Sequence, residues 1–145
     1  MENVHATCVD INGSGILIIG QSGSGKSDLA LRLIENKGAV LVSDDRTDLE
    51  PVNGQLLASA PKSIEGFIEI RGIGIVHKPF KKQTALKLAV TASSDQDIER
   101  YPSPMFFNNQ DIRLPNLCIN LLQPSAPDKV VVKLKSILEE EMQKT

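Results

Sequence analysis

Residues 20–27 read Gly20-Gln21-Ser22-Gly23-Ser24-Gly25-Lys26-Ser27, a complete G-x-x-x-x-G-K-[ST] pattern. Its small residues let the backbone wrap an anion so that successive N–H groups point at phosphate oxygens. A helix starting at the end of the loop adds its positive dipole end. Lys26 supplies a mobile charge for β- and γ-phosphates, and Ser27 a hydroxyl for Mg²⁺. Further on, Asp44 and Asp45 are adjacent carboxylates. On the two sides of a strand end they point in different directions, so that one can organise a metal shell while the other faces a nucleophile as a general base. A solvated Asp-Asp turn is the competing reading. Glu69-Ile70-Arg71-Gly72-Ile73-Gly74 offers a carboxylate that could complete a Mg²⁺ site and a guanidinium that could touch phosphate, or equally an ion pair ahead of a glycine turn.

These groups need elements to hold them. His5–Asn12 and Ile16–Ile19 read as two strands around Gly13-Ser14-Gly15, a spacing that suits a hairpin. The second strand runs into the glycine-rich loop. Leu29, Ala30, Leu33 and Ile34 make a helical stripe over 26–35, and Gly38 ends it. Val40-Leu41-Val42 is a buried strand whose exit carries the two aspartates, which completes a strand–loop–helix–strand unit of an α/β fold. Between 48 and 90, prolines and glycines break the chain into short strands near 55–58, 67–70 and 85–90. A polar, Pro-rich stretch precedes a strand over 117–122. Ser125 then fits the N-cap and Pro127 the first turn of a last helix with Val130, Leu134, Ile137, Leu138 and Met142 on one face.

Composition narrows the function classes. The chain has 145 residues, 41% hydrophobic and 23% charged, enough for one domain with its own core. Lys and Arg number 16 against 18 Asp and Glu, a net charge of −2, so there is no bulk attraction to nucleic acid or an anionic membrane. Cys8 and Cys118 sit among apolar neighbours, far apart and without disulfide or zinc spacing. With no signal peptide and no membrane-length apolar run, the cytoplasm is the expected compartment. The only Asn-Lys pair, Asn36-Lys37, is followed by Gly-Ala, which disfavours a guanine-reading switch. Lys78, Lys81, Lys82 and Lys87 could dock an acidic partner or form a solvated basic loop.

Together, His5, the Gly20–Ser27 loop, Asp-Leu-Ala-Leu-Arg-Leu-Ile after it, Leu-Val-Ser-Asp-Asp, Ala-Ser-Ala-Pro and Glu-Ile-Arg-Gly-Ile-Gly-Ile resemble the HPr kinase/phosphorylase family. The similarity extends over nearly the whole chain and includes Pro-Ser-Ala-Pro-Asp-Lys-Val, as in the short single-domain members of the alphaproteobacteria. It implies a P-loop core similar to PEP carboxykinase, with a mixed, strand-rich sheet and a C-terminal helix. It also implies one catalytic domain over 1–145, without the N-terminal domain of longer members. The implied activity is ATP-dependent phosphorylation of a serine on the phosphocarrier HPr, which regulates a phosphotransferase system. The family's reverse reaction uses inorganic phosphate and releases pyrophosphate.

By position, the resemblance gives ATP to the loop and Lys26, Mg²⁺ to Ser27 and Glu69, and the role of base to Asp45 beside Asp44. It adds His5, Arg71 and Arg100 to the catalytic set. Asp28 replaces a glutamate of many longer members. Little remains of the C-terminal region they use for subunit contacts and dephosphorylation, so a homo-oligomer and the reverse activity stay open. The alternatives are a small-molecule P-loop kinase, which would need further arginines and histidines where this chain has only His5 and His77, and a non-catalytic ATP-sensing module.

Overall fold

Strand β3 (Ser14–Ile19) buries Ile16, Leu17 and Ile18 completely, so the sheet around it is covered on both faces, as an unbroken apolar run requires. The structure, a computed structural model, describes residues 1–144. Before β3 come β1 (Glu2–Val4) and β2 (Ala6–Ile11), and after it helix α1 (Lys26–Lys37), β4 (Val40–Ser43), β5 (Thr47–Val52) and β6 (Gln55–Ser59). A two-stranded hairpin of β7 (Phe67–Ile70) and β8 (Gly74–His77) stands apart from the main sheet. The ten-residue β9 (Gln83–Ala92), β10 (Phe106–Asn109), β11 (Ile112–Ile119) and helix α2 (Ala126–Gln143) complete the order.

The main sheet is mixed. Its path runs β1-β5-β6-β9-β3-β2-β4, with β3 parallel to β9 and β2 antiparallel to both β3 and β4. Residues 83–85 of β9 pair with β6, while 89–92 pair with β11 in parallel. The side chains of β2 and β3 alternate between two cores, and β9, whose register against β3 shifts between Leu86 and Leu88, contributes to both. Val9, Ile16, Ile18, Leu88 and Val90 meet α1 and α2, whereas Cys8, Leu17 and Leu86 meet β5 and β6 through Leu49, Leu56 and Ala58. Burial, with the neighbouring Asp10 charge, pushes the Cys8 thiol far up from its usual range, so Cys8 acts as a small hydrophobe.

Several elements differ from their sequence expectation. The first hairpin turns at Asn12-Gly13, both at positive φ (49° and 91°), the backbone a two-residue turn matched to strand twist requires. Ser14 and Gly15 therefore belong to β3, and a Cβ on Gly15 would lie 2.7 Å from Thr84 Cγ2. Strand β11 begins at Ile112 rather than 117 because residues 106–115 form another hairpin around Gln110 and Asp111. Ser125 precedes α2 but makes no capping hydrogen bond with its side chain. Met142 is exposed rather than on the buried face. The basic cluster is dispersed into ion pairs of Lys78 with Glu35, Lys81 with Asp10 and Lys87 with Glu141.

Candidate active site

The 20–25 loop joins the end of β3 to the first turn of α1, and two of its glycines have left-handed backbones, Gly23 at φ 83° and Gly25 at 102°. A side chain at Gly20 would collide with Ser24 Oγ at 2.3 Å, so the loop closes this tightly only with glycine there. Lys26 is buried, and its ammonium donates to the carbonyls of Gly20 (2.8 Å) and Gln21 (3.3 Å) across the loop. The charge is thus held at the loop by its own carbonyls.

Beside the loop lies a cavity of about 580 Å³. The loop and α1 line it with Ser22, Gly23, Gly25, Lys26, Ser27 and Asp28. The exit of β4 contributes Asp44 and Asp45, and the β7–β8 hairpin contributes Glu69 and Arg71. Asp44 is 6% exposed. Its Oδ1 accepts from Ser27 Oγ at 2.6 Å and Thr7 Oγ1 at 3.1 Å, and its Oδ2 accepts from the Glu69 backbone N–H at 3.0 Å. All three donors are neutral, and among the described residues no cation lies in ion-pair contact with this carboxylate.

Asp45 adopts φ 65°, a region few non-glycine residues occupy and one that recurs at functional sites. The twist separates its side chain from that of Asp44. Asp45 Oδ1 lies 2.7 Å from His5 Nε2, and its side chain is two-thirds exposed. Thr7 was not singled out in the sequence, yet it touches both aspartates: its hydroxyl donates to Asp44 and accepts the Asp45 backbone N–H at 3.3 Å. The β2–β4 pairing that sets Cys8 opposite Ser43 brings it there. A threonine in an apolar strand reads as a β-former, so only the register reveals this role.

The remaining candidates divide. Gly20, Gln21, Ser24 and His5 line a second cavity of about 650 Å³ on the other side of the loop. Glu69 and Arg71 form no ion pair with each other and both face the first cavity. Arg100 lines neither cavity; its guanidinium lies over the Tyr101 ring, 5.9 Å from the centroid. The structure therefore does not bring Arg100 to the other candidates.

The donor set suits Mg²⁺. Among the described residues no three His, Cys, Asp or Glu side chains gather as a metal cage. Mg²⁺ usually takes one or two carboxylates together with waters and phosphate oxygens, and a buried carboxylate without a counter-cation, bonded to a hydroxyl at the mouth of a phosphate-type loop, provides that partial shell. A buried anion so arranged gains most from a cation brought by its ligand.

Comparisons with known proteins agree on one family. The model of the HPr serine kinase C-terminal domain matches residues 1–121. HPr kinase/phosphorylase of Clostridium beijerinckii is 48% identical over 73 residues, which is 50% of this chain and 24% of that protein. The enzyme of the same name from an Exiguobacterium species is 51% identical over 77 residues, 52% of this chain and 24% of its own length. The match thus spans about a quarter of these relatives. A solved structure of the Hpr(Ser) kinase/phosphatase from Coxiella burnetii superimposes with a TM-score of 0.83 at 27% identity, covering 99% of each chain.

Proposed function

Because the chain belongs to the HPr serine kinase C-terminal domain family, we propose that it transfers the γ-phosphoryl group of ATP to a serine of an HPr-type phosphocarrier protein in the cytoplasm, as a regulator of a phosphotransferase system. The observation that carries this reading is the convergence of Ser27, Asp44 and Asp45 beside the buried Lys26. No helix among the described residues is long and apolar enough to cross a membrane.

The triphosphate lies along the backbone amides of residues 20–27, with Lys26 on its β- and γ-oxygens. Ser27, Asp44 and Glu69 would hold Mg²⁺, which neutralises charge on the transferring group. Arg71, which lines the same cavity, would present a guanidinium to the phosphate oxygens. As the serine Oγ–phosphorus bond forms and the bond to ADP breaks, Asp45 accepts the serine proton. His5 orients Asp45 Oδ1 and stabilises its charge. In reverse, with inorganic phosphate as attacking group, the same carboxyl returns a proton to the departing serine oxygen. The double names of the relatives, kinase with phosphorylase or phosphatase, support this second direction.

Purified protein, HPr from the same organism, Mg²⁺ and γ-labelled ATP test the reading. Label on an HPr serine is expected, and its absence overturns the assignment. Asp45→Asn should keep nucleotide affinity and lower transfer by about 10²–10⁴-fold. Loss of binding instead would give Asp45 a metal-holding role.

A further inference from the structure

The phosphate loop and the carboxylates account for one end of the donor. The other end has a direction in this fold. Asp44 and Asp45 leave β4, on one side of β3, whereas β9 and β11 end on the other. Lys26, Asp45 and Leu122 line one cavity, so a phosphate held between Lys26 and Asp45 leaves the side of the exits of β9 and β11 for the rest of a nucleotide. At the exit of β11 the chain turns through Asn120, Leu121, Leu122 and Gln123 before α2.

Three features of this turn make it more than a connector. Leu122 is 58% exposed and lines the cavity of the phosphate loop, close enough to Gly25 that a Cβ there would lie 2.6 Å from Leu122 Cδ2. Its backbone is fixed from both sides. Arg32 of α1 donates to the carbonyls of Leu121 and Gln123 and pairs with Asp28, while the Leu122 N–H is held by Asn120 Oδ1 at 3.0 Å. Both nearby amides are already engaged. Asn120 Nδ2 and Gln123 Nε2 donate to Asp95, and Gln123 Oε1 accepts from Lys129.

We infer that Leu122 is the seat of the donor's nucleoside, an exposed apolar platform held rigidly at the rim of the phosphate loop, on which the base packs without being read by its edge. This rests on the proposed use of ATP and adds where its base lies. A rigid apolar contact loses little conformational freedom on binding and gains by covering Leu122. With the Asn120 and Gln123 amides turned toward Asp95, the seat selects by shape more than by hydrogen bonding, so adenine and guanine should be accepted within about tenfold of each other.

Calorimetric titration in Mg²⁺ with ATP, GTP and inorganic tripolyphosphate separates the parts. The wild-type chain should bind ATP more tightly than tripolyphosphate, and ATP and GTP within tenfold of each other. Leu122→Ala should weaken ATP about five- to tenfold while leaving tripolyphosphate unchanged, and Leu122→Met should restore most of the loss. Equal affinity of the wild type for ATP and tripolyphosphate, an Ala variant that weakens both equally or neither, or a purine preference above tenfold overturns the inference. Failure of the wild type to bind any of the three overturns the phosphate-loop reading itself.

Discussion

Two buried aspartates, one on β2 and one just past the end of the neighbouring β4, differ in whether the fold supplies a cation and whether the carboxylate faces a cavity. Asp10, near the end of β2, is 4% exposed and accepts from Thr84 Oγ1 (2.6 Å), the Gly13 N–H (2.9 Å) and Lys81 Nζ (3.1 Å). Asp44, at the exit of β4, accepts from two hydroxyls and one backbone N–H. Each has three donors, but only Asp10 has a cation of its own. Burial raises the Asp10 carboxyl, and the bonds from Thr84, Gly13 and Lys81, with the Lys81 charge, outweigh it and hold the group below its usual range. A carboxylate that the fold neutralises closes a turn. One that the fold hydrates with neutral donors and leaves facing a cavity is a place for a ligand's cation.

That contrast can be broken by substitution. Asp44→Asn should lower phosphoryl transfer by at least about 10²-fold, since metal-based charge stabilisation supplies several kcal/mol. Its thermal midpoint should fall less than that of Asp10→Asn, because bonds from neutral donors are weakened but no ion pair is lost. A large fall in stability would show Asp44 to be structural after all. Asp10→Asn should do the opposite, costing about 1–3 kcal/mol of folding stability through lost charge-assisted bonds, with transfer by the folded fraction unchanged. Its pH behaviour follows from the lowered carboxyl. The stabilisation is complete above the unfolded value of 3.8 and is lost as pH falls below it toward the folded value. The gap between the denaturant curves of the two proteins should therefore be constant from pH 7 to about 5 and begin to narrow as pH falls below 3.8, and a gap that stays constant to pH 3 would refute the linkage. The smallest effect is expected for Thr7→Val, which removes one of Asp44's donors. Half-saturation in Mg²⁺ should rise about tenfold, within the range for groups that orient metal ligands, and Thr7→Ser should restore it. A stability loss with an unchanged Mg²⁺ requirement would confine Thr7 to packing.

What was legible in the sequence was what is local in the chain. The phosphate-type loop and α1 are contiguous, so Gly20 to Lys37 could be read with their glycine caps. Asp44 and Asp45 were placed because a short apolar strand must end in polar residues. Thr7 escaped because its partners are 37 and 38 residues away and only strand register unites them. The β10–β11 hairpin escaped for another reason. Gln110 and Asp111 both take left-handed backbones (φ 50° and 65°) without a glycine to advertise the turn. Pro115 reads as a strand breaker, yet within β11 it is paired with Phe106. Arg100 was brought in by resemblance alone, and the fold leaves it against Tyr101.

Strand β9 carries a consequence for the order in which the molecule can be built. It is flanked by residues 15–19 on one side and by 57–59 and 116–119 on the other, so its two edges are sealed by segments far apart in the sequence. During synthesis the glycine-rich loop leaves the ribosome before β11, so residues 89–92 of β9 keep one edge open, and the loop lacks its Leu122 rim, until about residue 122 has emerged. Contacts of such long sequence separation form late. A nascent chain would thus carry the loop without its full surroundings until β11 and the turn after it have docked, and nucleotide binding would serve as a readout of that docking.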